Sequence, residues 1–249
     1  MPALTPALAA LAASDEVLGR LIAAVGPCGL LPDRTRSPYH HLTRAIAYQQ
    51  LNGTAAATIF GRFLALFGED GDFPAPDRVL AMPVARLRGC GLSASKIAAV
   101  HDLARHAIAG TVPGTPDLDL LDDAAIIERL TAVRGVGRWT VEMMLMFQLG
   151  RPDVLPVDDY GVRSGFRLAY GLRKLPAPRA LAAWGMRWAP WRSTAAWYLW
   201  RAVDLAKEGR LPPPPKPAPR LPRVGTRRRR VSASAASRAR RRRSGARTR

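Results

Sequence analysis

The apolar residues of this chain recur at the spacing of an α-helix along nearly the whole length before residue 210. They fall three or four positions apart, and no run shows the strict alternation or the dense β-branching that is typical of strands. The pattern therefore predicts an all-α protein. Helices are expected near residues 14–25, 38–49, 53–67, 77–89, 94–109, 122–132, 138–149, 159–170, 178–187 and 190–208.

Residues that favour helix ends support these boundaries. Ser14 and Ser37 are predicted N-caps, and Pro38 suits a first helical position because the N–H group it lacks would have no partner there. Glycine tolerates the left-handed conformation in which many helices end. Three glycines are predicted to end helices in this way: Gly68, Gly110 and Gly150.

Positive charge is concentrated at the C-terminal end. The formal net charge is +19, and residues 210–249 hold 15 of the 38 lysines and arginines but none of the 19 acidic residues. With a proline run and arginine runs at 227–230 and 240–243, this segment has little apolar surface to bury and is predicted to be disordered. Residues 1–209 are predicted to form the folded domain. The arginine runs favour non-selective binding to a nucleic-acid backbone, with a membrane surface as the weaker alternative.

Several classes of protein are disfavoured. Two cysteines, Cys28 and Cys90, are too few for a disulfide framework or a four-cysteine metal site. The four histidines lack the spacing to cysteines or carboxylates that zinc sites show, so no catalytic metal and no cofactor are expected. Residues 1–13 carry no basic start, and Asp15 and Glu16 interrupt the apolar run, so neither a signal peptide nor a membrane span is expected.

One short motif suggests DNA binding. Residues 130–141 read Leu-Thr-Ala-Val-Arg-Gly-Val-Gly-Arg-Trp-Thr-Val, which predicts two helices joined by a tight turn at Gly135 and Gly137. The unpaired N–H groups at the start of the second helix would form an anion site, and Arg134 and Arg138 add charge beside it. Taken alone, such a turn is more typical of a plain αα-hairpin.

Four further segments make the motif specific. They are Ala45–Ala56 (Ala-Ile-Ala-Tyr-Gln-Gln-Leu-Asn-Gly-Thr-Ala-Ala), Gly91–Lys96 (Gly-Leu-Ser-Ala-Ser-Lys), Leu155–Arg163 (Leu-Pro-Val-Asp-Asp-Tyr-Gly-Val-Arg) and Trp188–Ser193 (Trp-Ala-Pro-Trp-Arg-Ser). With the hairpin, the chain resembles the helix-hairpin-helix (HhH-GPD) base-excision superfamily, and within it the DNA-3-methyladenine glycosylase II group, over roughly residues 35–208. The resemblance implies a two-lobed helical fold with the active site between the lobes, and a glycosylase that flips a damaged base out of DNA.

The resemblance also implies the catalytic group. Breaking an N-glycosidic bond creates positive charge on the sugar, so the site needs a fixed negative charge and a positioned water. Asp159 matches the family's aspartate at the start of a helix. The alternative is that Asp158 and Asp159 are only N-caps.

Trp139 occupies the position where members with lyase activity carry a lysine. Without an amine no Schiff base forms there, so the resemblance implies a monofunctional glycosylase that uses water. Trp139 can also stack on a cationic alkylated purine, and Trp200 matches a tryptophan of the family's base pocket. Met143 replaces an aromatic residue common in the family, which leaves the range of bases open. The alternatives are a non-catalytic DNA-binding module and a glycosylase/lyase for oxidised bases.

The remaining expectations concern DNA. By resemblance, Gln50 or Leu51 matches the family's wedge, the side chain that fills the space of the flipped base. Hairpins of the family can hold a monovalent cation on backbone carbonyl groups, and the resemblance implies that these would be the carbonyls of Thr131, Val133 and Val136. The expected partner is double-stranded DNA with damaged bases, bound by a monomer in the cytoplasm, or at the nucleoid if the source is bacterial, with no membrane contact. The predicted DNA-binding residues of the hairpin are Arg134, Gly135, Val136, Gly137, Arg138 and Thr140.

Overall fold

The computed structural model describes residues 5–68 and 73–222. Within these ranges the chain forms α-helices and one 3-10 turn but no strand, so the all-α prediction is confirmed. The helices are α1 (Pro6–Ser14), α2 (Glu16–Val25), α3 (Pro38–Tyr48), α4 (Gly53–Ala65), α5 (Pro76–Ala81), α6 (Val84–Gly89), α7 (Ala94–Ile108), α8 (Thr115–Asp119), α9 (Asp123–Leu130), α10 (Arg138–Phe147), α11 (Tyr160–Ala169), α12 (Pro178–Gly185) and α13 (Arg192–Lys207), with the 3-10 turn at Met186–Trp188.

Most predicted helices lie where the apolar periodicity placed them, but α1 and α8 were not predicted. The single helix expected over 77–89 is wrong, because the chain forms α5 and α6 there. The break falls at Met82, which has an extended backbone, and Pro83, which is the N-cap of α6. A proline has no N–H group to donate and disfavours the helical conformation of the residue before it.

A buried carboxylate, that of Asp15, joins α2 to the residues that end α11, to α12 and to the 3-10 turn. Asp15, not Ser14 as the sequence suggested, is the N-cap of α2, and its Oδ1 accepts from two backbone N–H groups of that helix. Its Oδ2 accepts from the Tyr170 hydroxyl at 2.7 Å and from the indole N–H groups of Trp188 and Trp184 at 3.0 and 3.3 Å. These donors come from the C-terminal helices, so Asp15 ties α1 and α2 to them.

The helices that pack most extensively on one another fall into two sets. Helices α3–α7 with α9 and α10 form one set, and α1 and α2 with α11–α13 form the other. In the second set α11 lies directly on α13, because a Cβ atom at Gly165 would fall 1.8 Å from the Leu199 carbonyl oxygen. This close approach places the start of α11 beside the side chain of Trp200 on α13.

The segment after α13 has no helix within the described residues. Residues 211–222 lie on the helical body, where the Arg20 guanidinium donates to the Pro213 carbonyl at 2.8 Å and Leu211 and Leu221 pack against the core. The two predicted arginine runs lie outside the described residues. No helix in the described part of the chain has the length and apolar character needed to cross a membrane.

Candidate active site

The predicted hairpin joins α9 to α10. Gly135 has a φ of +79°, and a Cβ atom on it would lie 3.0 Å from the Cβ of Ala99 on α7, so the position requires glycine. Gly137 is the N-cap of α10 and offers no side chain to the first N–H groups of that helix. These groups remain available to an anion, which the helix dipole favours.

The structure places the predicted hairpin residues in two ways. The side chains of Arg134 and Arg138 are exposed, whereas those of Val136 and Thr140 are largely buried and offer little side-chain surface to a DNA backbone. The Val133 carbonyl accepts from the Val136 N–H group within the turn. A bound monovalent cation remains a prediction.

Helix α7 contacts the hairpin turn and fixes its position. Asp102 accepts from the Arg134 backbone N–H at 2.9 Å and pairs with Arg105. The Arg134 hydrogen bond is the main reason that the pKa of Asp102 lies below its usual value. The turn is therefore fixed to α7 by a hydrogen bond at Arg134 and by the packing of Gly135 on Ala99.

The predicted wedge residues lie in the loop between α3 and α4. Gln50 has a φ of +58°, which is unusual for a residue with a side chain, and Leu51 is 40% exposed. The chain is held in place just before this strained residue. Gln49 donates from Nε2 to the Gly135 carbonyl at 2.9 Å, and the Lys96 ammonium donates to the Ala47 carbonyl at 2.8 Å. The wedge loop and the hairpin turn are thus directly connected.

Asp159 lies where α11 begins, and both of its carboxylate oxygens accept hydrogen bonds. Oδ1 accepts from the Val162 backbone N–H at 2.7 Å and from the Trp200 indole N–H at 2.9 Å. Oδ2 accepts from the Trp139 indole N–H at 2.8 Å. Asp158 is exposed and makes no side-chain hydrogen bond within the described residues. Asp159 is therefore the N-cap of α11, and its carboxylate is also oriented by two tryptophans.

A cavity of about 570 Å³ opens between α3 and α10. Trp139 and Met143, two of the three predicted base-pocket residues, line it. Trp200 packs on Phe147, a lining residue, with ring centroids 5.7 Å apart. The sequence analysis missed four lining side chains: His41, Arg44, Tyr48 and Phe147. These residues recur at helical spacing on α3 and α10. The sequence alone cannot distinguish that pattern from residues that pack in the core.

The histidine of this pocket is largely buried. Burial lowers the pKa of His41 to about 4, and the charges of Arg44 and Arg36 act in the same direction. His41 is therefore a neutral imidazole near pH 7, with one donor and one acceptor nitrogen.

A second cavity, of about 420 Å³, is lined by residues of α9, α10 and α13 and by Asp153. On its wall the buried Glu142 accepts from Arg138 Nε at 2.8 Å. Burial raises the pKa of Glu142, and the charges of Asp158 and Asp159 raise it further, while Arg138 opposes the shift.

No group of three or more His, Cys, Asp or Glu residues able to hold a metal occurs in the described part of the chain.

Comparisons with known proteins point to one family. Residues 43–190 match the model of the HhH-GPD superfamily of base excision DNA repair proteins. The chain is 40% identical over 206 residues to DNA-3-methyladenine glycosylase 1 of Schizosaccharomyces pombe, which covers 82% of this chain and 89% of that protein.

Two solved structures agree with the sequence match. The S. pombe 3-methyladenine DNA glycosylase in complex with abasic DNA superposes with a TM-score of 0.72 and 40% identity, over 81% of this chain and 98% of that one. A DNA-3-methyladenine glycosidase of Bacillus halodurans superposes with a TM-score of 0.74 and 32% identity, over 82% of this chain and 92% of that one.

Proposed function

This chain belongs to the HhH-GPD superfamily of base excision DNA repair proteins, and we propose that it is a monofunctional DNA glycosylase that excises alkylated purines of the 3-methyladenine type. The observation that carries the proposal is the position of Asp159. Its carboxylate is held by Trp139 and Trp200, and Trp139 also lines the pocket beside the hairpin.

Asp159 supplies the negative charge for the chemical step. As the base leaves, positive charge develops on the sugar, and a carboxylate already fixed in place stabilises it without reorganisation. Indole N–H groups only donate, so they orient the two oxygens and add no opposing full charge. Oδ2 accepts only the bond from Trp139 and keeps a lone pair that can direct the attacking water at the anomeric carbon. Asp158 has no such support.

The pocket between α3 and α10 receives the flipped base. Trp139 is 47% exposed at its mouth, where an indole face can stack on an electron-poor ring. A cation over such a face gains about 0.5–2 kcal/mol, which favours alkylated over normal purines. Met143 and Phe147 provide apolar contacts deeper along α10, and Trp200 supports Phe147 from behind.

The hairpin and the wedge loop hold the DNA. The free N–H groups at the start of α10 bind a backbone phosphate, with Arg134 and Arg138 adding charge beside it. Gln50 or Leu51 enters the space that the flipped base leaves. Because Gln49 donates to the Gly135 carbonyl, the wedge has a fixed position relative to the bound phosphate.

The chemistry stops at base removal. A lyase step needs an amine that attacks the sugar, and the matching position holds Trp139. The ammonium of Lys96 is directed to the Ala47 carbonyl instead.

The enzyme acts as a monomer through residues 1–209. The basic residues beyond them add non-specific affinity for genomic DNA.

Release of free bases tests the proposal. The full chain is incubated with duplex DNA that has been treated with a methylating agent, and 3-methyladenine and 7-methylguanine are separated and quantified. We expect both to be released above the level without enzyme, and borohydride to trap no protein–DNA adduct. Binding to DNA without release would identify a non-catalytic module, and a trapped adduct would identify a lyase.

A further inference from the structure

Arg44 is the only arginine or lysine among the residues that line the pocket between α3 and α10. Its guanidinium carbon lies 4.0 Å from the centre of the Tyr48 ring. A guanidinium that stacks on an aromatic face keeps its N–H donors at its edge. The stack therefore fixes a planar set of donors in the wall of the base pocket.

Nothing in residues 5–68 and 73–222 takes up these donors. No carboxylate oxygen lies within 4.0 Å of the Arg44 nitrogens, and its side chain makes no hydrogen bond there. Its charge is nonetheless felt in the pocket, since it helps to lower the pKa of His41 and of His40. An unpaired cation in a ligand pocket calls for an acceptor on the ligand.

The purines differ in what they offer at position 6. Guanine and hypoxanthine present an oxygen there, which accepts, whereas adenine presents an amino group, which donates. A donor placed against a donor leaves both unpaired, and such mismatches discriminate strongly in a buried site. Stacking on Trp139 cannot make this distinction, because 3-methyladenine and 7-methylguanine both carry positive charge.

We propose that Arg44 is a specificity-determining residue that donates a hydrogen bond to the oxygen at position 6 of a flipped purine. It favours 6-oxopurine lesions, such as 7-methylguanine and hypoxanthine, over adenine lesions. This inference rests on the proposed glycosylase function, and it concerns the relative rates for different bases.

The test measures a ratio in one sample. Methylated DNA is incubated with the wild type or with Arg44→Met, and released 7-methylguanine and 3-methyladenine are quantified together. Because both bases compete for the same enzyme, the ratio does not depend on the fraction of active protein. Loss of one hydrogen bond from a charged donor is expected to lower the ratio of 7-methylguanine to 3-methyladenine by about tenfold.

Arg187 provides a matched control, because its guanidinium carbon lies 3.8 Å from the Trp184 ring, outside the pocket. Arg187→Met should leave the ratio unchanged. If Arg44→Met fails to fold, Arg44→Leu likewise removes every N–H donor of the side chain, and the same fall is expected. An equal loss for both bases would overturn the proposal, since it would show a contact to the DNA backbone. Absence of any release by the wild type would instead overturn the glycosylase function.

Discussion

The indole N–H of Trp139 donates to the Asp159 carboxylate at 2.8 Å, and this bond joins two helices with different tasks. Trp139 lies in the first turn of α10, whose N-terminus forms the proposed phosphate site, and Asp159 starts α11. The proposed catalytic carboxylate is therefore held by the helix whose N-terminus is the proposed phosphate site. A shift of α10 on its phosphate would move Asp159 with it.

Asp159→Asn tests the charge on this carboxylate. We expect single-turnover excision to fall about a hundredfold or more, because the developing cation loses its counter-charge. The amide also places an NH₂ group against an indole N–H, so thermal unfolding must be measured beside the rate. Asp158→Asn is the matched control and should change the rate little. If Asp158→Asn alone abolishes excision, the assignment is off by one residue.

Trp139→Phe separates stacking from orientation. The variant keeps a ring at the mouth of the pocket but removes the hydrogen bond to Asp159, which is worth about 1.5–3 kcal/mol when the acceptor is charged. Single-turnover excision should therefore slow about tenfold, while affinity for lesion DNA is retained. Trp200→Phe, which removes the bond to the other oxygen, should slow it similarly. Loss of affinity with an unchanged rate would contradict an orienting role.

The sequence predicted the site better than the pocket, for a physical reason. Family motifs that are local in the sequence predicted Asp159, Trp139 and Trp200 as site residues, and the structure brings the three side chains together. Arg44 lies outside the family segments, and Tyr48 lies within one of them without an assigned role. Their importance depends on the packing of α3 against α10, which no single segment encodes. The capping error at Ser14 is similar, because the donors that select Asp15 lie more than 150 residues away.

The connection between wedge loop and hairpin predicts separate effects on binding and on flipping. Gln49→Leu removes the bond to the Gly135 carbonyl and frees the loop around the strained Gln50. Affinity for undamaged duplex should stay near that of the wild type, whereas base flipping, followed with a fluorescent base analogue next to the lesion, should weaken by about fivefold to tenfold. Thr54→Ala, at the start of α4, is a control from the same region. Equal losses of binding and flipping would argue against a positioning role.

The lowered pKa of His41 predicts that the folded chain loses stability in mild acid. Its pKa in the folded chain is about 4, below the usual 6.5, so the unfolded chain takes up the proton first. Stability from this residue is complete above pH 6.5 and is lost as the pH falls towards 4. Urea unfolding between pH 7 and 5 should show the decline, and His41→Gln should flatten it. An identical decline in the variant would show that other groups cause it.

Because residues 211–222 pack on the helical body, a test of the basic C-terminal residues should leave that segment in place. A cut at residue 210 would also remove the Pro213 contact to Arg20 and the packing of Leu211 and Leu221, so it would mix folding with DNA binding. Deleting 223–249 instead removes 12 arginines and leaves these contacts intact.

Each phosphate neutralised contributes about 0.9 to the slope of log affinity against log salt. The deletion should therefore flatten that slope, while single-turnover excision and the ratio of released bases stay as in the full chain. The longer deletion, 210–249, removes three more basic residues and the packed segment, so it should show a slope at least as flat and a lower melting temperature. A slope equal to that of the full chain would mean that the arginine runs do not contact DNA, and a changed ratio of bases would mean that they reach the pocket.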